Sequence, residues 1–391
     1  MAMKQDLKVH GLINDWTEPD WPFLTLAEVD TLLRHFPSAG GAHRILSYSP
    51  RPFSAASSVD TPRGRVFVKR HHHAVRDREG LLEEHRLLQH LHARGGIVPA
   101  VLVNDAGESA IATDQWTYEV HSIADGIDLY EQELSWTPFH STMHARAAGR
   151  TLAELHGALA DYDAPPRRTR SLVTSFNIFA AQEPWPRLEE FVASRPELAR
   201  YLAARNWQAS TEATLLPFHA KLRPLLASLR PSWTHNDFHA SNLFWSSPAP
   251  DAEVRAIIDF GLADRTTAMH DLATAIERNG VRWLSLDGRF DEVVHLDHIL
   301  SLLRGYEEIR PLTSSEAHAL VALLPLVHAE FALSEADYFL RALHSVNKAA
   351  LAWDGYFLGH AAWFQSENGL RLLEHLEAWA DGARRGQNVI A

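Results

Sequence analysis

Residues 233–245 read WTHNDFHASNLFW. His235 is followed two positions later by Asp237, and Asn242 comes five positions after that, directly ahead of the apolar run LFW. Asp and Asn both bond to nearby backbone and favour turns, so a plain loop is one reading. The spacing H-x-D-x-x-x-x-N is uncommon, however; composition alone would produce it roughly 0.04 times in a chain of this make-up. The other reading is a loop that carries metal-assisted chemistry, and it requires a second carboxylate at a determined place.

That carboxylate is present. After LFW come the polar loop SSPAPDAE (246–253) and the run VRAIIDFG (254–261). Two short apolar runs around a Pro-containing loop read as an antiparallel hairpin. The start of its first strand faces the end of its second, so Asn242 and Asp259 fall at one end, with Asp237 in the loop leading there. An amide oxygen and carboxylates suit Mg²⁺, a hard cation that also binds substrate phosphates. Read alone, IIDFG is a buried strand ending in a turn; behind H-x-D-x-x-x-x-N at hairpin spacing it is a ligand position.

Composition sets the frame. A chain of 391 residues exceeds the usual single-domain size and predicts two structural units. With 46% hydrophobic and 22% charged residues it has the make-up of a soluble globular enzyme. The formal net charge of −12 argues against nucleic acid or an anionic membrane as partner, and fits a neutral or cationic small molecule. The absence of cysteine excludes disulfides and thiolate metal sites. The opening MAMKQDLKVHGLINDW has no apolar core of a signal peptide. The longest apolar run, Ala319 to Val327, is too short to span a bilayer and contains a Pro. The expectation is a cytoplasmic protein, monomer or homodimer. The tract RHHHA (70–74) does not read as one metal site, because neighbours on a strand point to opposite faces.

Along the chain, TLAEVDTLLRHF (25–36) predicts a short helix, and HRILSYS, SAASSV and RVFVKRH predict strands, the last two joined by the turn DTPRG. A helix over 77–96 follows, stopped by Gly95 and Gly96, then strands at 97–105 and 115–123. The remainder predicts helices at 142–159, 186–204, 211–229, 270–281, 289–309, 314–345 and 370–384. The fold class expected is α+β: a small antiparallel-sheet lobe over 1–122 and a larger helical lobe over 123–391.

In HNDFHASN (235–242), IDFG (258–261), DLA (271–273) and TLAELHGAL (151–159), the chain resembles the aminoglycoside phosphotransferase family. These are small-molecule kinases of the protein-kinase-like fold, with choline and homoserine kinase relatives. The four segments stand in the family's order and span most of the chain. The resemblance implies an ATP-dependent, Mg²⁺-requiring kinase that phosphorylates a hydroxyl of a small molecule, most family acceptors carrying an amine. By the family pattern Asp237 orients the acceptor hydroxyl and takes its proton, and Asn242 and Asp259 hold Mg²⁺ against the nucleotide phosphates. His235 and His239 brace the loop, and Asp271 supports it or caps its helix.

The resemblance also assigns Lys69, at the end of the strand VFV (66–68), to the phosphates. A lysine flanked by apolar strand residues needs a partner, and LLEEHRLL offers Glu83 and Glu84; the family's Glu-x-x-x-Leu pattern favours Glu84. No G-x-G-x-x-G precedes Lys69, a departure from the kinase pattern. The matching segment SPRPFSAASSV (49–59) offers small residues such as Ser54 and Ser57 to the phosphates instead. Adenine is expected against the backbone near Glu119 to Ile123, His121 included. For an amine-bearing acceptor, Glu330 and Asp337 lie seven apart on one helix face, with Tyr338, Trp353, Tyr356 and Trp363 as aromatic walls. The helix ahead of the first strand gives a layout like that of homoserine kinases, an analogy that assigns no substrate.

Two other functions leave different marks in a sequence. A protein kinase needs a long segment and an A-P-E landmark after Asp-Phe-Gly; here Asp271 opens its helix twelve positions after Asp259 and no A-P-E follows. A catalytically silent nucleotide-binding regulator usually lacks one of the reactive groups, whereas Lys69, Asp237, Asn242 and Asp259 all stand here.

Overall fold

The computed structural model describes residues 19–49, 53–131, 133, 136–169 and 171–387. The opening segment and residues 50–52 of the phosphate-side stretch lie outside the described residues. The chain divides into two compact units: Met1–Thr137 with Arg167–Thr169 and Ala240–Phe260, and Pro138–Pro166 with Arg170–His239 and Gly261–Ala391. This is not a single cut after residue 122. The hairpin behind Asn242, expected with the helical lobe, packs into the first unit.

In the first unit, strands β1 (Arg44–Tyr48), β2 (Ala55–Thr61), β3 (Gly64–His72), β4 (Ala110–Ala112) and β5 (Trp116–Ser122) form one antiparallel sheet of order β1-β2-β3-β5-β4. Period-2 alternation gives it two characters. Val59, Val66, Val68 and Val120 pack with Val29, Leu33 and Phe36 of helix α1 (Leu26–Leu33) and its exit turn. A capping box between Thr25 and Glu28 starts α1. The other face carries the row Ala56, Lys69, Glu119 and Ala110, directly opposite one another across four strands. Glu28 also fastens α1 to the sheet, accepting from Arg70 Nη1 at 2.6 Å and from Tyr118 Oη at 2.7 Å. Helix α2 (Arg78–Ala93) is capped by Asp77. The strand expected at 97–105 is a single bridge, Val101 to His121, in a stretch interrupted by Pro99, and β4 forms instead from AIA.

The second unit is mostly helical. Helix α3 (Thr142–Ala158) matches its expected span closely; the longer predicted helices are broken. The stretch 186–204 becomes α4 (Pro184–Ala193) and α5 (Pro196–Ala203), since Pro196 has no N–H for the preceding turn. The stretch 211–229 becomes α6 (Trp207–Thr214), α7 (Leu216–Leu222) and a 3₁₀ turn. Then come α8 (Ala268–Gly280), α9 (Phe290–Val293), α10 (Leu296–Ile309) and α11 (Ser314–Leu323). Helix α12 (Ala329–Arg341) restarts beyond Pro325. The last elements are α13 (Val346–Ala350), a π-helical stretch over Leu351–Leu358, α14 (Gly359–Trp363) and α15 (Glu367–Gln387). Strands β6 (Pro231–Thr234) and β9 (Asp264–Thr267) pair beside α8, while β7 (Leu243–Trp245) and β8 (Val254–Ile257) are the hairpin of the first unit.

Helices α3 and α10 cross at two glycines. A Cβ on Gly149 would collide with the carbonyl oxygen of Leu302, and one on Gly305 with that of Arg146. No helix among the described residues is long and apolar enough to cross a membrane.

Candidate active site

In the first unit the hairpin forms as its spacing requires. Leu243 faces Ile257, and the Ile258 amide donates to the Asn242 carbonyl at 3.0 Å, so Asn242 and Asp259 end the same hairpin. Asp259 sits at φ 61°, in the left-handed region that a non-glycine residue adopts at a cost. Its Oδ1 accepts from Lys69 Nζ at 3.1 Å. Burial opposes the Lys69 charge, but the carboxylates of Asp259, Glu119 and Glu84 outweigh it and hold the ammonium above the ordinary lysine range.

The expected Lys69–Glu84 ion pair is not formed. Glu84 pairs with Arg167, whose Nη2 lies 3.3 Å from Glu84 Oε2 and donates to the Phe260 carbonyl at 2.9 Å. Arg167 therefore ties α2 to the Asp-Phe-Gly segment. It is 1% exposed, and no motif or spacing in the sequence singles it out. Glu83 is half-buried and accepts from the Arg168 amide. Arg76 joins the same group of charges; burial and the nearby Arg167 pull its guanidinium down to about 10 against the opposing carboxylates.

Glu119 and His121 stand apart from their expected role. Both backbones are engaged on each side, Glu119 with Lys69 and Ala110, His121 with Phe67 and Val101. Regular pairing of β5 ends at Ser122, so backbone outside the ladder begins at Ile123. The Glu119 carboxylate is buried and accepts from three imidazoles, those of His71, His85 and His121, at 2.8–2.9 Å. Burial would raise its pKa; the imidazoles outweigh that and hold it well below the carboxylate range. Ser57 is corrected by register. It pairs with Val68, so its side chain lies on the face opposite Lys69, whereas Ser58 pairs with Phe67 on the Lys69 face. Ser54 lies in the bend before β2.

In the second unit, Asp237 follows Asn236, which is also left-handed at φ 62°. Asn236 is fixed by hydrogen bonds from Thr234 Oγ1 and Thr266 Oγ1 to its Oδ1, both 2.9 Å. Asp271 accepts from the His235 amide at 2.8 Å and the Asn236 amide at 2.7 Å, and contacts His156 Nε2 at 3.0 Å. Thr267, not Asp271, caps α8. His156 Nδ1 in turn meets Tyr306 Oη at 2.8 Å, so α3 and α10 both brace the loop through Asp271. His235 Nδ1 accepts from the Asp237 amide at 3.2 Å.

Each oxygen of Asp237 faces a cationic or polar nitrogen: Oδ1 lies 3.4 Å from Arg278 Nη2, and Oδ2 lies 3.5 Å from His239 Nε2. Burial favours protonation, but His239 and Arg278 outweigh it and hold the carboxyl well below the usual range. Arg278 is a second residue that sequence reading missed.

The three expected acceptor-side residues of α12 are otherwise occupied. Glu330 is buried and accepts from Ser175 Oγ and from the amides of Asn177, Ile178 and Phe179, fastening that loop. It borders a cavity of about 570 Å³, together with Phe176, Asn177, Arg187 and Arg195. Asp337 lies 3.7 Å from both Arg195 and Arg341. Tyr338 has no exposed surface, so it offers nothing to an acceptor without rearrangement.

Asp271 yields a test of the bracing. Burial raises its pKa, but the hydrogen bond and charge of His156 and the His235 amide lower it overall. A carboxyl depressed in the folded state stabilises above its unfolded pKa of about 3.9 and loses that contribution as pH falls through the lower folded value. Asp271→Asn is expected to cost roughly 3 kcal/mol at pH 7. The difference from the parent chain should shrink below about pH 4. Urea denaturation from pH 7 to pH 3 measures both; a constant difference would contradict the assignment.

A model of the phosphotransferase enzyme family matches residues 52–312. A homoserine kinase of Methylobacterium radiotolerans is 28% identical over 250 residues, 62% of this chain and 63% of that protein. The match thus spans under two thirds of that curated relative. Among solved structures, a microcompartment-associated aminopropanol kinase superposes with a TM-score of 0.59 at 20% identity, over 89% of this chain and all of the other. An aminoglycoside phosphotransferase of Alicyclobacillus acidocaldarius gives 0.54 at 16% identity, over 93% and 98%. At such identities these superpositions establish the kinase-like α+β fold.

Proposed function

Because the chain belongs to the phosphotransferase enzyme family, we propose that it transfers the γ-phosphate of ATP to a hydroxyl of a small, amine-bearing molecule. The observation that carries this reading is Asp237, a carboxylate kept ionised by Arg278 and His239 on a loop locked from behind by Asp271. Phosphoryl transfer depends on positioning and charge neutralisation more than on covalent work by the protein. Asp237 accepts the hydrogen bond of the acceptor hydroxyl. The hydroxyl oxygen forms its bond to the γ-phosphorus, the bond to the bridging oxygen of ADP breaks, and the proton passes to Asp237. Asp237 thus both aims the hydroxyl and takes its proton, the proton moving late.

Lys69, held charged by three carboxylates, serves the nucleotide phosphates. Asn242 and Asp259 present oxygen donors at one hairpin end, the hard ligand type that suits Mg²⁺. When bound, Mg²⁺ neutralises charge on the phosphates. The amine in the acceptor is supported by the net charge of −12. It is supported also by homoserine and aminopropanol, named for two relatives, each of which carries an amine and a hydroxyl.

The test is Mg²⁺-dependent ADP release across hydroxylated amines, amino acids, sugars and aminoglycosides. Release stimulated by one amine-bearing class and not by neutral sugars is the expected result. ATP binding with no stimulation by any acceptor would favour a nucleotide-binding regulator instead.

A further inference from the structure

Within the second unit, Glu277 of α8, His328 just ahead of α12 and His360 of α14 bring three ligating atoms within 4.8 Å of one another. All three side chains are buried, Glu277 at 1% exposure. His360 Nδ1 lies 2.9 Å from Glu277 Oε1, and His328 Nδ1 lies 4.0 Å from the same oxygen. The second oxygen, Oε2, faces Arg278 Nε at 3.6 Å. Among the described residues, neither Glu277 oxygen receives a hydrogen bond, despite these short distances. A buried carboxylate in that condition carries a desolvation penalty of about 1–3 kcal/mol or more, and native proteins offset such penalties with a water or an ion.

The surroundings hold the donors in place. Trp283 stacks on the His360 ring at 3.8 Å and 8°, and its Nε1 donates to the Glu277 carbonyl at 2.9 Å. The two imidazoles stack on each other at 4.6 Å, with Tyr356 edge-on to both. Tyr356 stands on the π-helical stretch Leu351–Leu358, directly before α14. π-Helical turns occur disproportionately at functional sites, because the wider turn re-aims side chains that an α-helix would direct elsewhere.

We propose that Glu277, His328 and His360 form a binding site for a divalent transition-metal cation of the Zn²⁺ class, distinct from any Mg²⁺ at Asn242 and Asp259. Two imidazole nitrogens with one carboxylate oxygen suit a borderline-soft cation and leave a fourth position for water. Ligand bonds of about 2.0–2.2 Å place tetrahedral donors roughly 3.3 Å apart, between the two nitrogen–oxygen distances found here. The ion sits on the Oε1 side, away from the Arg278 guanidinium. It ties the starts of α12 and α14 to α8, which also carries Arg278 and Asp271.

The experiment uses the full chain, stripped with a chelator and titrated with Co²⁺ in the absence of ATP and Mg²⁺. Expected is a visible d–d spectrum saturating at about one equivalent and displaced by Zn²⁺. Glu277→Gln, which preserves shape, and His360→Ala should each weaken binding by roughly 100-fold or more, while Asp259→Asn leaves the titration unchanged. No saturable spectrum overturns the proposal, as does one that Glu277→Gln leaves intact. Should His360→Ala fail to fold, Glu277→Gln and metal analysis of the purified parent chain decide it. Turnover enters none of these readouts, so the outcome is independent of the phosphotransfer reading.

Discussion

Replacing Asp237 with Asn is expected to lower kcat by about a thousandfold, within the 10²–10⁴ range of positioned acid–base groups. Asn keeps the shape of the side chain, so the loop stays braced by Asp271 and by the Asn236 hydrogen bonds. It cannot take the hydroxyl proton, and it no longer offsets the charge of Arg278. Binding and chemistry should therefore separate: ATP affinity stays within about threefold of the parent chain, while single-turnover transfer collapses. Turnover preserved in the variant would remove Asp237 from the reaction and with it the reading of residues 233–245.

The second large effect belongs to Asp259. Asp259→Ala removes one oxygen donor of the hairpin end and the carboxylate that Lys69 contacts at 3.1 Å. In calorimetric titrations, Mg²⁺ should strengthen ATP binding to the parent chain. The variant should lose that dependence, with affinity in Mg²⁺ down roughly 100-fold. kcat/KM falls further, by at least about a thousandfold, because phosphate charge is then unrelieved in the transition state. Unchanged Mg²⁺-dependence would assign the metal elsewhere. The two substitutions thus fail differently, one in chemistry and one in nucleotide binding.

What the sequence displayed was local. The hairpin spacing placed Asn242 and Asp259 together because strand pairing is set by the turn, and the β2–β3 register worked the same way. That register also contained the answer for Ser57. A two-residue turn at Pro62 and Arg63 sets Ser57 against Val68, one residue off the Lys69 row, and counting back from the turn would have excluded it. Pro196 and Pro325 were visible breaks in helices read as continuous. The partners that fix the charges were not visible. Arg167 reaches Glu84 across 83 positions, and Arg278 reaches Asp237 across 41, with no spacing rule to connect them. Glu330 carried the acidic character expected of an acceptor site, yet besides Ser175 Oγ its partners are backbone amides more than 150 positions earlier, which leave no side-chain trace. Charge and amphipathic period identify a residue type on a face; they do not say which neighbour claims it.

The glycine crossing of α3 and α10 bears on how this protein tolerates variation. Gly149 and Gly305 let the two helix backbones touch, and Tyr306, adjacent to Gly305, meets His156, which lies two turns beyond Gly149. The separation of those helices is thereby a ruler for the Asp271 brace behind the Asp237 loop. An alanine at either position adds one methyl group in the interior, outside the Asp237 loop. It would force the ruler to read long and shift the loop's support while every loop residue stays intact.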